Sequence, residues 1–137
     1  MIHAAPERLE TDRGAQALVG LDERGGVLYR RSAGDLLDAV GAWQALLRTH
    51  GVRPGGRVAI DLPRGPELLP AHLASLAAGA CVVPINPTLP AAERARVLER
   101  AQPVAVLERE DERPGSGDAP SISDNDGPAL LIFTSGT

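Results

Sequence analysis

The chain has 137 residues, 43% of them hydrophobic and 23% charged, and a formal net charge of −4. That composition suits one globular domain with a buried core. It excludes wholesale disorder and a basic nucleic-acid footprint; with Cys81 as the only cysteine, it also excludes an internal disulfide and a cysteine metal cluster.

From the amino terminus, Met1 to Glu10 contains no apolar stretch of the kind a secretory signal needs. Gln16 to Leu21 reads as a strand, Asp22-Glu23-Arg24-Gly25-Gly26 as turn chemistry and Val27 to Arg31 as a second strand, which together predict a hairpin. Ser32 is placed to cap a helix, with Asp35 favouring its positive end. Leu36, Leu37, Val40, Trp43, Leu46 and Leu47 recur at steps that share one helix face. Gly51 is placed to stop the helix in a left-handed conformation, with His50 at its negative end.

Next come a strand from Arg57 to Leu62, a loop at Pro63-Arg64-Gly65-Pro66, and a helix over Glu67 to Ala78. Pro70 near the start of that helix predicts a kink or a later start. Cys81-Val82-Val83 is an apolar strand, Pro90 to Ala101 a helix, Val104 to Leu107 a strand and Ala129 to Phe133 a fourth. These four strands begin at 57, 81, 104 and 129. Wholly apolar strands at that spacing, with helical patterns between, predict an α/β fold: a parallel sheet of βαβ units preceded by a hairpin and a helix. The longest apolar run, Leu76 to Ile85, contains Gly79 and Pro84 and falls far short of the ~20 residues of a membrane span. A cytoplasmic protein is expected.

The interval from Glu108 to Gly127 differs. It holds seven acids and two arginines, then Gly, Pro and Ser, and is expected to be a mobile surface connection with a solvated charge run.

The chemistry concentrates at the end of the sequence. An apolar strand, Ala129 to Phe133, runs into Thr134, Ser135, Gly136 and Thr137. Small side chains let backbone amides face an anion, hydroxyls add donors, and glycine permits unusual dihedrals. The bland reading of these four residues is an ordinary turn after a buried strand. All fourteen basic residues are arginine, so a Walker-type loop, which needs its lysine, is excluded.

Phe133-Thr134-Ser135-Gly136-Thr137 resembles the opening of the nucleotide loop of the adenylate-forming superfamily. That superfamily includes acyl-CoA synthetases, luciferases and peptide-synthetase adenylation domains. Earlier segments are similar to the family's in the same order. Leu28-Tyr29 through Ser32, Asp35 and Leu36 resembles its "LTY…EL" signature, lengthened here by Arg30 and Arg31. Gly51-Val52-Arg53-Pro54-Gly55-Gly56-Arg57-Val58-Ala59-Ile60 resembles "GVRPGDRVAI". Leu62 to Glu67 resembles "LPNSPE", and Leu76 to Pro87 contains a match to "AGAVVVPLNP".

The resemblance implies that residues 1–137 are the N-terminal part of an AMP-binding domain, with 108–127 as a linker within it. It implies an AMP-forming acyl-CoA synthetase of fatty acid metabolism. A carboxylic acid attacks the α-phosphate of ATP, giving an acyl-adenylate and pyrophosphate, and the thiol of CoA then displaces AMP. ATP with Mg²⁺ and CoA are the implied cofactor and co-substrate. Thr134, Ser135, Gly136 and Thr137 are the implied phosphate-binding residues; no catalytic residue or metal ligand is expected in the chain. Without a lysine, the 137 residues alone are expected to be inactive, and unpaired sheet edges are expected to favour aggregation. Two alternatives stand beside this reading: a peptide-synthetase adenylation domain, and a small α/β binding module without catalysis. The start at Met1 favours a stand-alone synthetase over a multidomain assembly.

Other polar residues read as structural. His3, His50 and His72 lack metal spacing. Cys81 reads as a buried inert thiol, Trp43 as core, Glu67 as first-turn helix chemistry and Asn86 as a turn residue.

Overall fold

The computed structural model describes residues 13–108, 120–123 and 127–133; His3 lies outside them. Strands β1 (Gln16–Leu21) and β2 (Val27–Ser32) form an antiparallel hairpin. Asp22 closes its turn: one carboxylate oxygen accepts from the amides of Arg24 at 2.8 Å and Gly26 at 2.7 Å. Gly20 and Tyr29 are cross-strand partners. A Cβ at Gly20 would come within 2.1 Å of the Tyr29 ring, so the glycine makes room for the aromatic.

Helix α1 (Ala33–Thr49) starts with the expected cap, reciprocated as a capping box. Ser32 Oγ accepts from the Asp35 amide at 3.1 Å, and Asp35 Oδ2 accepts from the Ser32 amide at 3.4 Å. It ends as expected at Gly51, whose φ is +76°. There Gly51 N–H donates to Arg48 O and Val52 N–H to Leu47 O, both at 3.0 Å, which is the paired arrangement of a Schellman motif.

The second sheet holds β3 (Arg57–Asp61), β4 (Cys81–Pro84) and β5 (Ala105–Glu108), all parallel, in the order β4-β3-β5. Helix α2 (Leu68–Ala77) links β3 to β4, and α3 (Ala91–Ala101) links β4 to β5. The late start expected from Pro70 is observed: α2 begins at Leu68, which places the proline in the first turn, where its missing N–H is no loss.

Side chains alternate across the sheet. Val58, Ile60, Val82 and Leu107 pack with Leu36, Val40, Trp43, Leu47 and the Ala71–Ala74 surface of α2. Ala59, Val83 and Val106 pack on the other side with Val97, Leu98 and Ala101 of α3. Both faces are covered, which is why the strands read as apolar runs without polar alternation. The two helical connections run in opposite directions along the sheet and lie on opposite faces, as a common crossover hand requires.

One helix end departs from the usual chemistry. Gln102 ends α3 in the left-handed region at φ 46° and ψ 58°, where a Cβ is unfavourable and glycine is the common choice. Gln102→Gly is expected to stabilise the fold by about 0.5–1 kcal/mol, read as stronger hydrogen-exchange protection in the last turn of α3.

Candidate functional site at the carboxyl edge of the parallel sheet

In a parallel sheet all strands deliver their carboxyl ends to one edge, where ligands gather in open α/β folds. Here that edge is built from Asp61-Leu62 at the end of β3, Pro84 to Asn86 at the end of β4 and Glu108 at the end of β5. The segment from Ala129 to Phe133 joins it from the other side of β4. Leu130 forms a parallel bridge with Val82. Val82 N–H donates to Ala129 O at 2.8 Å, and Leu131 N–H donates to Val82 O at 2.9 Å. The fourth strand expected from the sequence is therefore present as a short bridge that extends the order to 130-β4-β3-β5. Leu131 and Phe133 turn to the α3 face and pack there, with the Arg100 guanidinium 5.6 Å from the Phe133 ring centre. Thr134, Ser135, Gly136 and Thr137 lie outside the described residues; the strand that leads to them is placed beside β4 and runs toward the carboxyl edge.

Charge at this edge is already organised. Arg94 of α3 donates from Nε to Asp61 Oδ2 at 2.6 Å and from a terminal nitrogen to Glu108 Oε1 at 2.5 Å. Asp61 and Glu108 are register partners on neighbouring strands, so one guanidinium neutralises two facing carboxylates. The hydrogen bond to Asp61, and then that to Glu108, raises the Arg94 pKa above its ordinary value. Arg94 is thus committed to the protein and is a poor candidate for a phosphate ligand. Asn86 is committed too. Its Oδ1 accepts from Thr88 N–H at 3.0 Å and Thr88 Oγ1 at 2.8 Å, the turn role expected of it.

One polar residue departs from its sequence reading, and a second was missed by it. Glu67 makes no side-chain cap at the start of α2. Its carboxylate instead accepts from Trp43 Nε1 at 2.7 Å and from Arg31 at 2.5 Å. A long-range donor pair outcompetes the local amides because Trp43 is buried and its N–H needs a partner. Gln44 was not singled out by sequence reasoning, yet it is buried and holds Ser121 of the acidic connection. The signal existed: Leu37, Val40, Gln44 and Leu47 follow the helical period, and the amide occupies an apolar slot. His72 Nδ1 is 3.0 Å from Leu68 O, and Cys81 is buried and unpaired. Among the described residues no group of three or more His, Cys, Asp or Glu is arranged to hold a metal ion. None of their helices is long and apolar enough to cross a membrane.

This sheet, its hairpin and its edge define an adenylate-forming fold, and the chain belongs to the AMP-binding enzyme family, which matches residues 6–119. The N-terminal subdomain of Klebsiella oxytoca NpsA, solved with anthranilyl-AMSN, superposes with a TM-score of 0.74 at 25% identity, over 100% of this chain and 38% of that one. Pyochelin synthetase PchE of Pseudomonas aeruginosa is 46% identical over 68 residues, which is 50% of this chain and 5% of PchE. Enterobactin synthase component F of Escherichia coli O157:H7 is 35% identical over 95 residues, 69% of this chain and 7% of that protein. The chain thus spans under a tenth of the length of these curated relatives.

These relatives overturn the expectation of an acyl-CoA synthetase in fatty acid metabolism, and with it the case for CoA as co-substrate. Solved fatty-acyl ligases share the same fold, so architecture alone does not separate the classes. The motifs between Leu28 and Pro87 that carried the resemblance build the hairpin, the start of α1, β3, β4 and their turns, elements that the fatty-acyl ligases share as part of the common fold. The start at Met1 carried no information on the point.

Proposed function

We propose that the chain is the first part of the adenylation domain of a nonribosomal peptide synthetase, with 108–127 as a linker within that domain. The observation that supports this is the sequence likeness to synthetases of that kind, 46% over 68 residues and 35% over 95. In this reading the domain joins a carboxylic acid to the α-phosphate of ATP. One carboxylate oxygen bonds to phosphorus, and the bond to the bridging oxygen breaks with release of pyrophosphate. The thiol of a carrier domain then attacks the acyl carbon, and AMP leaves.

The chain's own contribution is positioning. The Ala129–Phe133 strand runs toward the edge where, in this reading, the triphosphate is held, and Thr134, Ser135, Gly136 and Thr137, which follow it in the sequence, are the residues assigned to supply hydroxyl and amide donors to its oxygens. Mg²⁺ fits this reading as a passenger on the nucleotide, since Asp61 and Glu108, the acids at the carboxyl edge, are engaged by Arg94. Catalytic side chains are not assigned to these residues. A cytoplasmic location, where ATP is supplied, belongs to the same proposal.

The test is exchange of labelled pyrophosphate into ATP by the protein made from its full coding sequence, across amino, aryl and fatty acids, followed by mass analysis of the acceptor. Exchange with an amino or aryl acid and loading of a carrier thiol is the expected result. Formation of a free acyl-CoA, or no exchange with any acid, would overturn the proposal.

A further inference from the structure

We infer that Gln44 is a positioning residue for the strand that carries the candidate phosphate residues, an inference that rests on the adenylation reading above. A buried primary amide must satisfy both a donor and an acceptor. Gln44, 3% exposed, finds both on one backbone residue. Its Nε2 donates to Ser121 O at 2.7 Å, and its Oε1 accepts from Ser121 N–H at 2.9 Å. That is how a residue in one strand pairs with its neighbour, so the side chain serves as a substitute strand for a passing segment. Two residues on, Ser123 N–H donates to Ala77 O at 2.7 Å, at the end of α2.

The placement matters because of the topology. After β5 the chain must pass β3 and β4 to reach the opposite edge of the sheet. It moves in the same direction as the β3-to-β4 connection, and the contacts to Gln44 and Ala77 place it on the same face as α2, as a common hand requires. Residues 120–123 and 127–128 contain no helix, so regular structure in them does not set the length of the crossing. Among the described residues, two hydrogen bonds to Val82 define the register of the arriving strand. A slip of one residue would turn Leu131 and Phe133 away from the α3 face. The Gln44 and Ala77 contacts fix the chain a few residues upstream and oppose that slip. Leucine at 44 would suit the core but leave the Ser121 amide and carbonyl without this partner, and glutamate would bury a charge and lose the donor.

The experiment uses the protein made from its full coding sequence, with Gln44→Leu, Ser121→Pro and the double variant. Ser121→Pro removes the donated N–H from the loop side and leaves α1 intact, so it decides the matter if Gln44→Leu fails to fold. Each single variant is expected to raise the KM for ATP in pyrophosphate exchange by about tenfold while the KM for the acid stays within about twofold. The double variant is expected to be no worse than the worse single, because both break one contact. Hydrogen-exchange protection of the Leu131 amide is expected to fall in every variant. A purely structural residue would lower the yield of active enzyme and leave both KM values alone. An unchanged KM for ATP in a folded variant, or unchanged Leu131 protection, overturns the inference. If the wild type exchanges no acid, the adenylation reading has failed, and Leu131 protection alone decides the positioning role.

Discussion

Replacing Trp43 with alanine is expected to destabilise this unit by about 3–5 kcal/mol, the largest effect of any single change considered. Trp43 is 1% exposed and is the largest fully buried side chain among the described residues. It sits on the inward stripe of α1 with Leu36, Val40 and Leu47, against Val58, Ile60 and Val82 of the sheet. Its Nε1–H also donates to Glu67, which receives Arg31 from the hairpin. Alanine therefore removes packing and one arm of a junction among the hairpin, α1 and the start of α2. Trp43→Phe separates the two contributions. It keeps most of the volume and loses the donor, and is expected to cost about 1–2 kcal/mol. Hydrogen-exchange protection across α1 and α2 checks both variants. Equal losses for phenylalanine and alanine would show that the hydrogen bond, not the packing, dominates.

The second large effect is expected at the carboxyl edge. Arg94→Leu leaves Asp61 and Glu108 facing each other on adjacent strands without their shared cation. Breaking a well-buried pair costs about 3–5 kcal/mol. Arg94 and Glu108 keep side-chain exposures of 28% and 48%, so solvent screening reduces this to about 1–2 kcal/mol. The loss should localise to the ends of β3 and β5 and the first turns of α3. It should shrink in high salt, because the residual repulsion between Asp61 and the more exposed Glu108 is partly screened. Adding Asp61→Asn to Arg94→Leu should recover part of the loss by removing one of the two like charges. A salt-independent loss that Asp61→Asn leaves unrelieved would mean that the Arg94 side chain acts through its packing instead.

Most elements of this fold were legible because local physics specifies them. Ser32 and Asp35 can satisfy the first amides of α1 whatever surrounds them, and Gly51 can adopt the left-handed turn that ends it. Pro70 forces its helix to start late. Unbroken apolar runs such as Val58-Ala59-Ile60 and Cys81-Val82-Val83 are stable only when both faces are covered. Gln102 was not legible as a left-handed cap, because glutamine has no intrinsic preference for that region and the surrounding structure holds it there.

The candidate site was legible in part. Ala129 to Phe133 announces a strand, and the structure places it beside β4, headed for the carboxyl edge. Strand order was not readable: β3 lies between β4 and β5, although β4 and β5 are consecutive in the chain. Only the folded sheet makes Asp61 and Glu108 neighbours and gives Arg94 two partners.

By itself, the sequence determined the class of architecture, the hairpin turn and both ends of α1, because those rest on periodicity and short-range hydrogen bonding; membership of an adenylate-forming family was legible through motif resemblance. Tertiary structure alone decided that Glu67 serves Trp43 and Arg31 instead of its own helix, that Arg94 bridges two strands, and that Gln44 grips a segment 77 positions away. The reason is common to all three. Each polar group takes its partner from an element far away in the sequence, and which partner it meets depends on how those elements pack; for the Gln44 amide, burial makes that partner obligatory.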